Sequence, residues 1–192
     1  HTALRRQRQM CIRDRSMTAT PIPRTLSITY HGDMDLSIID ELPQNRIPVK
    51  TKIVNPDRMT KIYEFMRKEC LDGKQCIIVF PLIEESEKLD LEDAINAYEK
   101  LKNNVFKDLK VGLVHGKINA EKKENILKKF IENKVKILVS TTVIEVGIDV
   151  PNATVMLIEN AERFGLTQLH QLRGRVGRGS HQSYCLSLIH IS

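Results

Sequence analysis

The sequence predicts an α/β domain with a mainly parallel sheet and helices on both faces. Short apolar runs alternate along the chain with longer amphipathic segments. Amphipathic segments of about 10–15 residues between strands form helical crossovers, which join parallel strands. Residues 76–80 are apolar throughout and stand between Gly73 and Pro81, as in a strand covered on both faces. Ligands in such sheets bind at the carboxyl ends of the strands.

Strands are expected over residues 49–54, 76–80, 111–114, 137–140, 154–158 and 183–186. The first of these alternates between polar and apolar residues, which predicts a half-buried strand. A helix capped by Asp57 is expected to bury the apolar face formed by Met59, Ile62, Phe65 and Met66. A helix capped by Asn119 is expected to bury Ile126, Leu127, Phe130 and Ile131. Two more helices are expected, over residues 90–102 and from Thr167 into an arginine-rich segment.

Composition is ordinary for a soluble globular protein that forms one domain. The chain has 192 residues, of which 41% are hydrophobic and 28% charged. No apolar run approaches the roughly 20 residues needed to cross a bilayer. The four cysteines, Cys11, Cys70, Cys76 and Cys185, have neither the spacing of a zinc site nor that of a redox pair. Reduced thiols in a cytoplasmic protein are expected.

The net charge of +6 is concentrated at one end of the chain. Within residues 1–16, one acidic residue, Asp14, accompanies the arginines Arg5, Arg6, Arg8, Arg13 and Arg15. The bulk charge therefore says little about nucleic-acid binding, which must be argued from particular residues. Residues 1–16 and 187–192 resemble translated sequencing-adapter stretches, so we expect both to be non-native flanks of a domain over residues 17–186. The alternative for the first flank is a basic arm that binds nucleic acid.

Residues 168–178 place three arginines, Arg173, Arg175 and Arg178, around two glycines and beside Gln171. A guanidinium is always charged and offers a planar fork of donors that suits phosphate oxygens. Glycine lets backbone and side chains approach a ligand closely. The segment therefore indicates a phosphate clamp, the alternative being a basic surface loop with glycines for turns.

Two other segments carry chemistry. Residues 137–153 run from an apolar strand into Thr141 and Thr142 and then to Gly147 and Asp149. Taken alone, the threonines indicate a helix cap and Asp149 a turn. Residues 17–26 contain Pro21 and Pro23, which cannot lie inside a central strand or helix, so the chain leaves the sheet rigidly there.

In order, these segments resemble motifs III, V and VI of superfamily 2 helicases. Residues 39–43, 80–87, 111–116 and 143–149 look like the RecG branch-migrating DNA helicases. The resemblance covers the chain from Met17 to about Leu186. It implies a RecA-like three-layer domain, the second lobe of a two-lobe motor.

The resemblance also implies roles for single residues. Arg175 and Arg178 would reach the triphosphate of ATP, and Gln171 belongs to the same catalytic motif. Nucleotide contacts would also come from Gly147 and Asp149. DNA-backbone contacts would come from Thr141, Thr142, His115 and Gly116. Coupling between the ATP site and the DNA track would involve Thr18, Ala19, Thr20 and Arg24.

The sequence contains no Gly-x-x-x-x-Gly-Lys-Ser/Thr loop and no Asp-Glu pair at the end of an apolar strand. Asp90, Glu92 and Asp93 are expected on the solvated face of a surface helix instead. ATP and Mg²⁺ would then be bound mainly by an N-terminal RecA-like lobe of a longer chain, and the fragment alone would be inactive. The family implies branched DNA as substrate, a wedge domain that recognises the branch, a monomer and no membrane.

Three other functions compete with this interpretation. The motor lobe of the transcription–repair coupling translocase shares the three motifs, although residues 40–43 and 81–86 favour RecG. A DEAD-box RNA helicase usually has histidine where this chain has Gln171. A non-motor α/β binding module would have no use for two spaced arginines that sense a γ-phosphate.

Overall fold

A computed structural model describes residues 47–82, 87–141 and 150–189. Within these ranges, six strands form one sheet in the order β1-β6-β5-β2-β4-β3, and every neighbouring pair is parallel. The strands are β1 (Lys50–Val54), β2 (Gln75–Phe80), β3 (Val111–Val114), β4 (Ile137–Thr141), β5 (Ala153–Ile158) and β6 (Tyr184–Leu188). The predicted parallel sheet is confirmed, with strand boundaries shifted by one or two residues.

Helices connect the strands as crossovers. They are α1 (Met59–Leu71), α2 (Glu87–Lys100), α3 (Ala120–Ile131) and α4 (Leu166–Arg173). A 3₁₀ turn, Pro56–Arg58, precedes α1, a π-helical turn, Leu101–Val105, follows α2, and a second 3₁₀ turn, Ala161–Arg163, precedes α4. No helix in the described part of the chain is long and apolar enough to cross a membrane.

The sheet lies between two apolar layers. On one face, Ile77 and Val79 of β2 pack with Phe130 of α3 and Leu172 of α4. On the other face, alternate β2 residues pack with α1, including Met66. Because side chains of a strand point alternately to the two faces, a continuous apolar run such as β2 fills both layers. The three-layer α/β prediction is confirmed.

β1 differs from its prediction as a half-buried strand. Lys50 to Ile53 are exposed, and Ile53 keeps 69% of its surface accessible. Among the described strands, β1 pairs only with β6 and lies at the edge of the sheet. An alternating pattern predicts a strand with one buried face. Whether a helix packs on that face depends on the position of the strand in the sheet.

The helix starts and apolar faces were predicted in part. Asn119 caps α3, because its side-chain oxygen accepts a hydrogen bond from the Glu121 N–H at 3.0 Å. Asp57 is not a cap, since it lies inside the 3₁₀ turn and α1 begins two residues later. The prediction for Ile131 is also wrong, since this last residue of α3 is 58% exposed.

Asp90 is not part of a solvated face. It is buried in the first turn of α2 and forms a bidentate ion pair with Arg163. The Nη1–Oδ1 and Nη2–Oδ2 distances are 2.6 and 3.1 Å. Glu92 and Asp93 are exposed, as expected. The ion pair joins α2 to the turn that follows β5, a contact across 73 residues that local sequence does not reveal.

Two further features tie the helices to the sheet. The buried amide of Gln75 donates to the carbonyl oxygens of Phe130, at 2.6 Å, and Val135, at 2.8 Å, and so holds the end of α3 against the start of β2. The thiols of Cys70 and Cys76 are buried and 3.6 Å apart across the α1–β2 interface. Cys185 is a third buried free thiol, and Cys11 lies outside the described residues.

β6 extends two residues beyond its predicted end. Ser187 and Leu188 pair with Ile53 and Val54 of β1, and Leu188 is 1% exposed. Both residues belong to the stretch expected to be a non-native tail, and they complete the sheet between β5 and β1. The expectation about the origin of residues 187–192 stays a prediction.

Candidate functional site

Two residues predicted to contact DNA lie at the carboxyl ends of neighbouring strands. Thr141 ends β4, and His115 directly follows β3, whose last residue, Val114, pairs with Ser140. Thr141 is fully buried, and its hydroxyl oxygen has no hydrogen-bond partner within the described residues. His115 is half-buried, and its burial together with nearby Lys117 lowers its pKa. Gly116 is exposed beside it.

Glu159 follows β5 at the same edge and was missed by the sequence analysis. Its backbone N–H donates to the Val79 carbonyl at 2.9 Å, which places it at the end of the central strand pair. The residue is 8% exposed, and burial raises the pKa of its carboxyl group to about 7. Burial, together with this carboxylate, also raises the pKa of Tyr63. An acidic residue directly after an apolar strand was the available signal.

The predicted phosphate-binding arginines lie at the opposite edge. We call residues 174–183, which connect α4 to β6, the arginine loop. The Gln182 side-chain amide donates to the Pro48 carbonyl at 2.9 Å, and the Lys50 N–H donates to the Ser183 carbonyl at 2.9 Å. Both partners stand at the start of β1. The arginine loop therefore lies at the amino edge of the sheet, away from Thr141 and His115. It does not lie at the carboxyl ends of the strands, where ligands of parallel sheets usually bind.

Close glycine contacts fix the arginine loop. A Cβ on Gly179 would stand 2.5 Å from the carbonyl oxygen of Pro151, just before β5. Gly177 has a φ of +79°, and its Cβ would stand 2.5 Å from Val49 Cγ2. Side chains at either position would displace the loop. Gly177 is one of the two glycines of the predicted phosphate clamp, whereas Gly179 lies one residue beyond it.

The arginines differ in exposure. Arg178 is exposed, and its Nε donates to the Gly174 carbonyl at 3.5 Å. Arg175 is half-buried, and its guanidinium has no hydrogen bond or ion pair with another described residue. On α4, Gln171 is exposed, and Arg173 contacts the ring of His170 at 3.2 Å. The arginine loop therefore carries one exposed and one half-buried guanidinium group at the amino edge.

Several predicted site residues lie outside the described residues. These are Thr18, Ala19, Thr20, Arg24, Thr142, Gly147 and Asp149. The chain that follows Asp149 is described again from Val150, and Pro151 contacts the arginine loop. Within the described ranges, no group of three or more His, Cys, Asp or Glu side chains is arranged to hold a metal ion.

Residues 57–180 match the family described as helicase conserved C-terminal domain. The chain belongs to this family. This helicase C-terminal domain is 58% identical over 171 residues to ATP-dependent DNA helicase RecG of Synechocystis, covering 89% of this chain and 21% of that protein. It is 54% identical over 170 residues to the RecG of Bacillus subtilis, covering 88% of this chain and 25% of that protein. The chain thus spans about a quarter of the relatives it matches.

Solved structures with the same fold as the helicase C-terminal domain include a RecG. It is similar to a RecG bound to a three-way DNA junction, with 49% identity, a TM-score of 0.72, and coverage of 91% of this chain and 22% of that one. It also shares its fold with S. cerevisiae Dbp5 bound to RNA and ADP BeF3, at 19% identity and a TM-score of 0.64, covering 91% of this chain and 44% of that one. The predicted resemblance to RecG and the RecA-like fold are confirmed.

Proposed function

We propose that this chain is the second motor lobe of an ATP-dependent helicase that remodels branched DNA, such as stalled forks and recombination junctions. The relatives named RecG, and the RecG bound to a three-way junction, support branched DNA as the substrate. In this proposal, the longer parent protein acts in DNA repair and recombination in the cytoplasm as a monomer. Its N-terminal RecA-like lobe binds most of ATP and Mg²⁺, and its wedge domain recognises the branch.

The contact between Gly179 and Pro151 is the observation that carries the proposal. It brings the arginine loop against Pro151, which follows Asp149 by two residues in the sequence. Arg178 is exposed at the amino edge and Arg175 is half-buried there. Guanidinium groups on a loop held by close backbone contacts suit a phosphate that another lobe presents.

In this arrangement the chain contributes positive charge to the transition state, and it supplies no nucleophile or general base. When the two lobes close, Arg175 and Arg178 stabilise the negative charge that develops on the γ-phosphate, with Gln171 beside them. Arginine fingers accelerate phosphoryl transfer by about 10³–10⁵, or roughly 4–7 kcal/mol of transition-state stabilisation. Mg²⁺ on the other lobe would neutralise phosphate charge and orient the phosphates. Hydrolysis would then depend on lobe closure.

The carboxyl edge would face DNA in the same proposal. Thr141, Thr142, His115 and Gly116 would contact the backbone of one strand. Because Thr141 is buried here, its hydroxyl would reach a phosphate only after neighbouring residues move, and its missing hydrogen-bond partner supports such a role. Contacts to phosphate would make binding weaken steeply with salt and depend little on sequence.

The test uses full-length B. subtilis RecG in which the matched segment is replaced by residues 17–188 of this chain, hereafter the chimera. Arg178→Ala in the chimera is expected to lower DNA-stimulated ATP hydrolysis by at least about 10³. Binding of a fluorescent ATP analogue should stay within a few-fold, because most of the nucleotide contacts lie on the other lobe. Turnover is measured by phosphate release with a branched-DNA cofactor.

Arg67→Ala is the matched control, because Arg67 is an exposed arginine of α1 that pairs with Asp108 at 2.8 Å. It should keep full turnover. Retention of full turnover by Arg178→Ala would refute the arginine-finger assignment. The isolated 192-residue chain is expected to show no ATP hydrolysis, and robust hydrolysis by it would refute the need for a second lobe.

A further inference from the structure

The arginine loop is fastened to the first described residues of the domain. Residues 47–49, which we call the leading segment, run directly into β1. The contacts between the leading segment and the arginine loop therefore lie at the start of the edge strand of the described sheet.

Gln182 makes the polar part of this attachment. The backbone ladder between β1 and β6 is extended by the bond from the Lys50 N–H to the Ser183 carbonyl at 2.9 Å. One step earlier, the Gln182 Nε2 donates to the Pro48 carbonyl at 2.9 Å and to the Ser183 carbonyl at 3.1 Å. The Gln182 side chain thus adds a hydrogen bond beyond the last backbone bond between β1 and β6. This bond joins Pro48 to the end of the arginine loop.

Val49 makes the apolar part. Its side chain is half-buried and packs against the apolar layer that contains Val176 and Leu172. A Cβ on Gly177 would lie only 2.5 Å from the Val49 Cγ2, too close for two carbon atoms. Gly177 stands between Val176 and Arg178. A shift of the leading segment therefore presses directly on the backbone that carries the arginines.

We propose that Gln182 and Val49 are positioning residues, which hold the arginine loop to the leading segment and so keep Arg175 and Arg178 in place at the amino edge of the sheet. The inference rests on the proposed function, because it assumes that the arginines act on ATP. It adds an attachment at the start of β1 that sets their position. Loss of the attachment leaves the nucleotide bound but the arginines misplaced.

Gln182→Glu in the chimera keeps the side-chain size and removes the donor groups. We expect kcat for DNA-stimulated ATP hydrolysis to fall about 3- to 10-fold, because a neutral hydrogen bond contributes about 0.5–1.5 kcal/mol and each 1.4 kcal/mol is tenfold. The KM for ATP should change less than twofold. Gln182→Lys, which restores a donor, should recover at least half of the lost kcat.

Asn103→Asp is the matched control. The exposed Asn103 side-chain amide donates to Glu99 Oε2 at 3.0 Å, so this change also removes a donor and adds the same charge. Its kcat should equal that of the unsubstituted chimera. Val49→Ala tests the apolar contact independently and serves if Gln182→Glu does not fold. It should also lower kcat more than it changes KM.

The inference is overturned if folded Gln182→Glu or Val49→Ala keeps the kcat of the control. A purely structural role predicts a lower melting temperature with kcat per folded molecule unchanged, which also overturns it. If either occurs while Arg178→Ala still abolishes turnover, the proposed function stands and only the positioning role fails. If Arg178→Ala keeps full turnover, the arginine-finger assignment on which the inference rests fails.

Discussion

Gly179 packs directly on Pro151, with the position of a missing Cβ only 2.5 Å from the Pro151 carbonyl oxygen. A backbone carbonyl cannot rotate away as a flexible side chain can. The arginine loop and the chain before β5 are therefore held at one fixed separation. Any substitution that adds a Cβ at residue 179 must separate them.

Gly179→Ala is expected to destabilise the domain by about 1–3 kcal/mol, the usual effect of forcing extra volume into a packed contact. Gly165→Ala is the control, because its Cβ would meet only the Gln168 side-chain oxygen at an ordinary 3.8 Å. Urea unfolding of the chain measures both. Equal stabilities for the two variants would contradict the close contact.

Gly177→Ala and Gly73→Ala separate backbone strain from steric clash. Both glycines have positive φ, +79° and +88°, but a Cβ on Gly73 would meet nothing within 4 Å. We expect Gly73→Ala to lose about 1 kcal/mol from strain alone. Gly177→Ala should lose at least about 1 kcal/mol more, because it also collides with Val49. A Gly177→Ala variant no less stable than Gly73→Ala would argue against that collision.

Glu159 is expected to make the stability of the domain depend on pH. Burial raises its pKa from 4.5 to about 7, so between these values the folded state binds a proton that the unfolded state has lost. The free energy of unfolding should therefore fall as pH rises through this window, by about 3 kcal/mol in total. Glu159→Gln should remove this fall and be more stable than the original chain at pH 8.

Urea unfolding at pH 5 and pH 8 measures the effect of Glu159→Gln. Glu162→Gln is the control, because Glu162 is exposed on the following turn and should leave the pH dependence unchanged. An unaltered difference between the two pH values in Glu159→Gln would show that another group causes it.

Asp90 and Arg163 should be strongly coupled in a double-mutant cycle. The Asp90 side chain is 4% exposed and that of Arg163 is 32% exposed, so Arg163→Met leaves a carboxylate in a mostly dry site. We expect this variant to lose about 2–4 kcal/mol, somewhat below the loss for a fully buried pair. The double variant Asp90→Asn/Arg163→Met should lose less stability than the two single variants lose together, by at least about 1 kcal/mol.

Glu132 and Lys134 provide the matched pair. Their side chains are 36% and 65% exposed, and their ion pair is 2.6 Å long. Solvent screens exposed ion pairs, so their coupling should be small. A coupling for Asp90 and Arg163 no larger than this would show that the buried ion pair does not hold α2 to the turn after β5.

Features that depend on neighbours along the chain could be predicted from sequence. The Asn119 cap of α3 and the apolar strand β2 each follow from residues a few positions apart. The exposure of β1 could not be predicted, because strand order is decided by packing between distant segments. The same holds for the Asp90–Arg163 pair, whose partners are 73 residues apart.

The candidate site shows the same division. The sequence placed Thr141 and His115 at carboxyl ends, since the end of a strand is a local property. It did not reveal that the arginine loop lies at the amino edge, because this depends on α4 returning across the sheet before β6. Glu159 was overlooked because a glutamate after a strand is a common surface residue until the layers above it are known.

Because all six described strands run the same way, their starts and ends form two separate rims. Five residues of β4 span about 16 Å at about 3.3 Å each. In the proposed function, the contacts with nucleotide and with DNA would therefore lie on opposite rims, with the length of a strand between them.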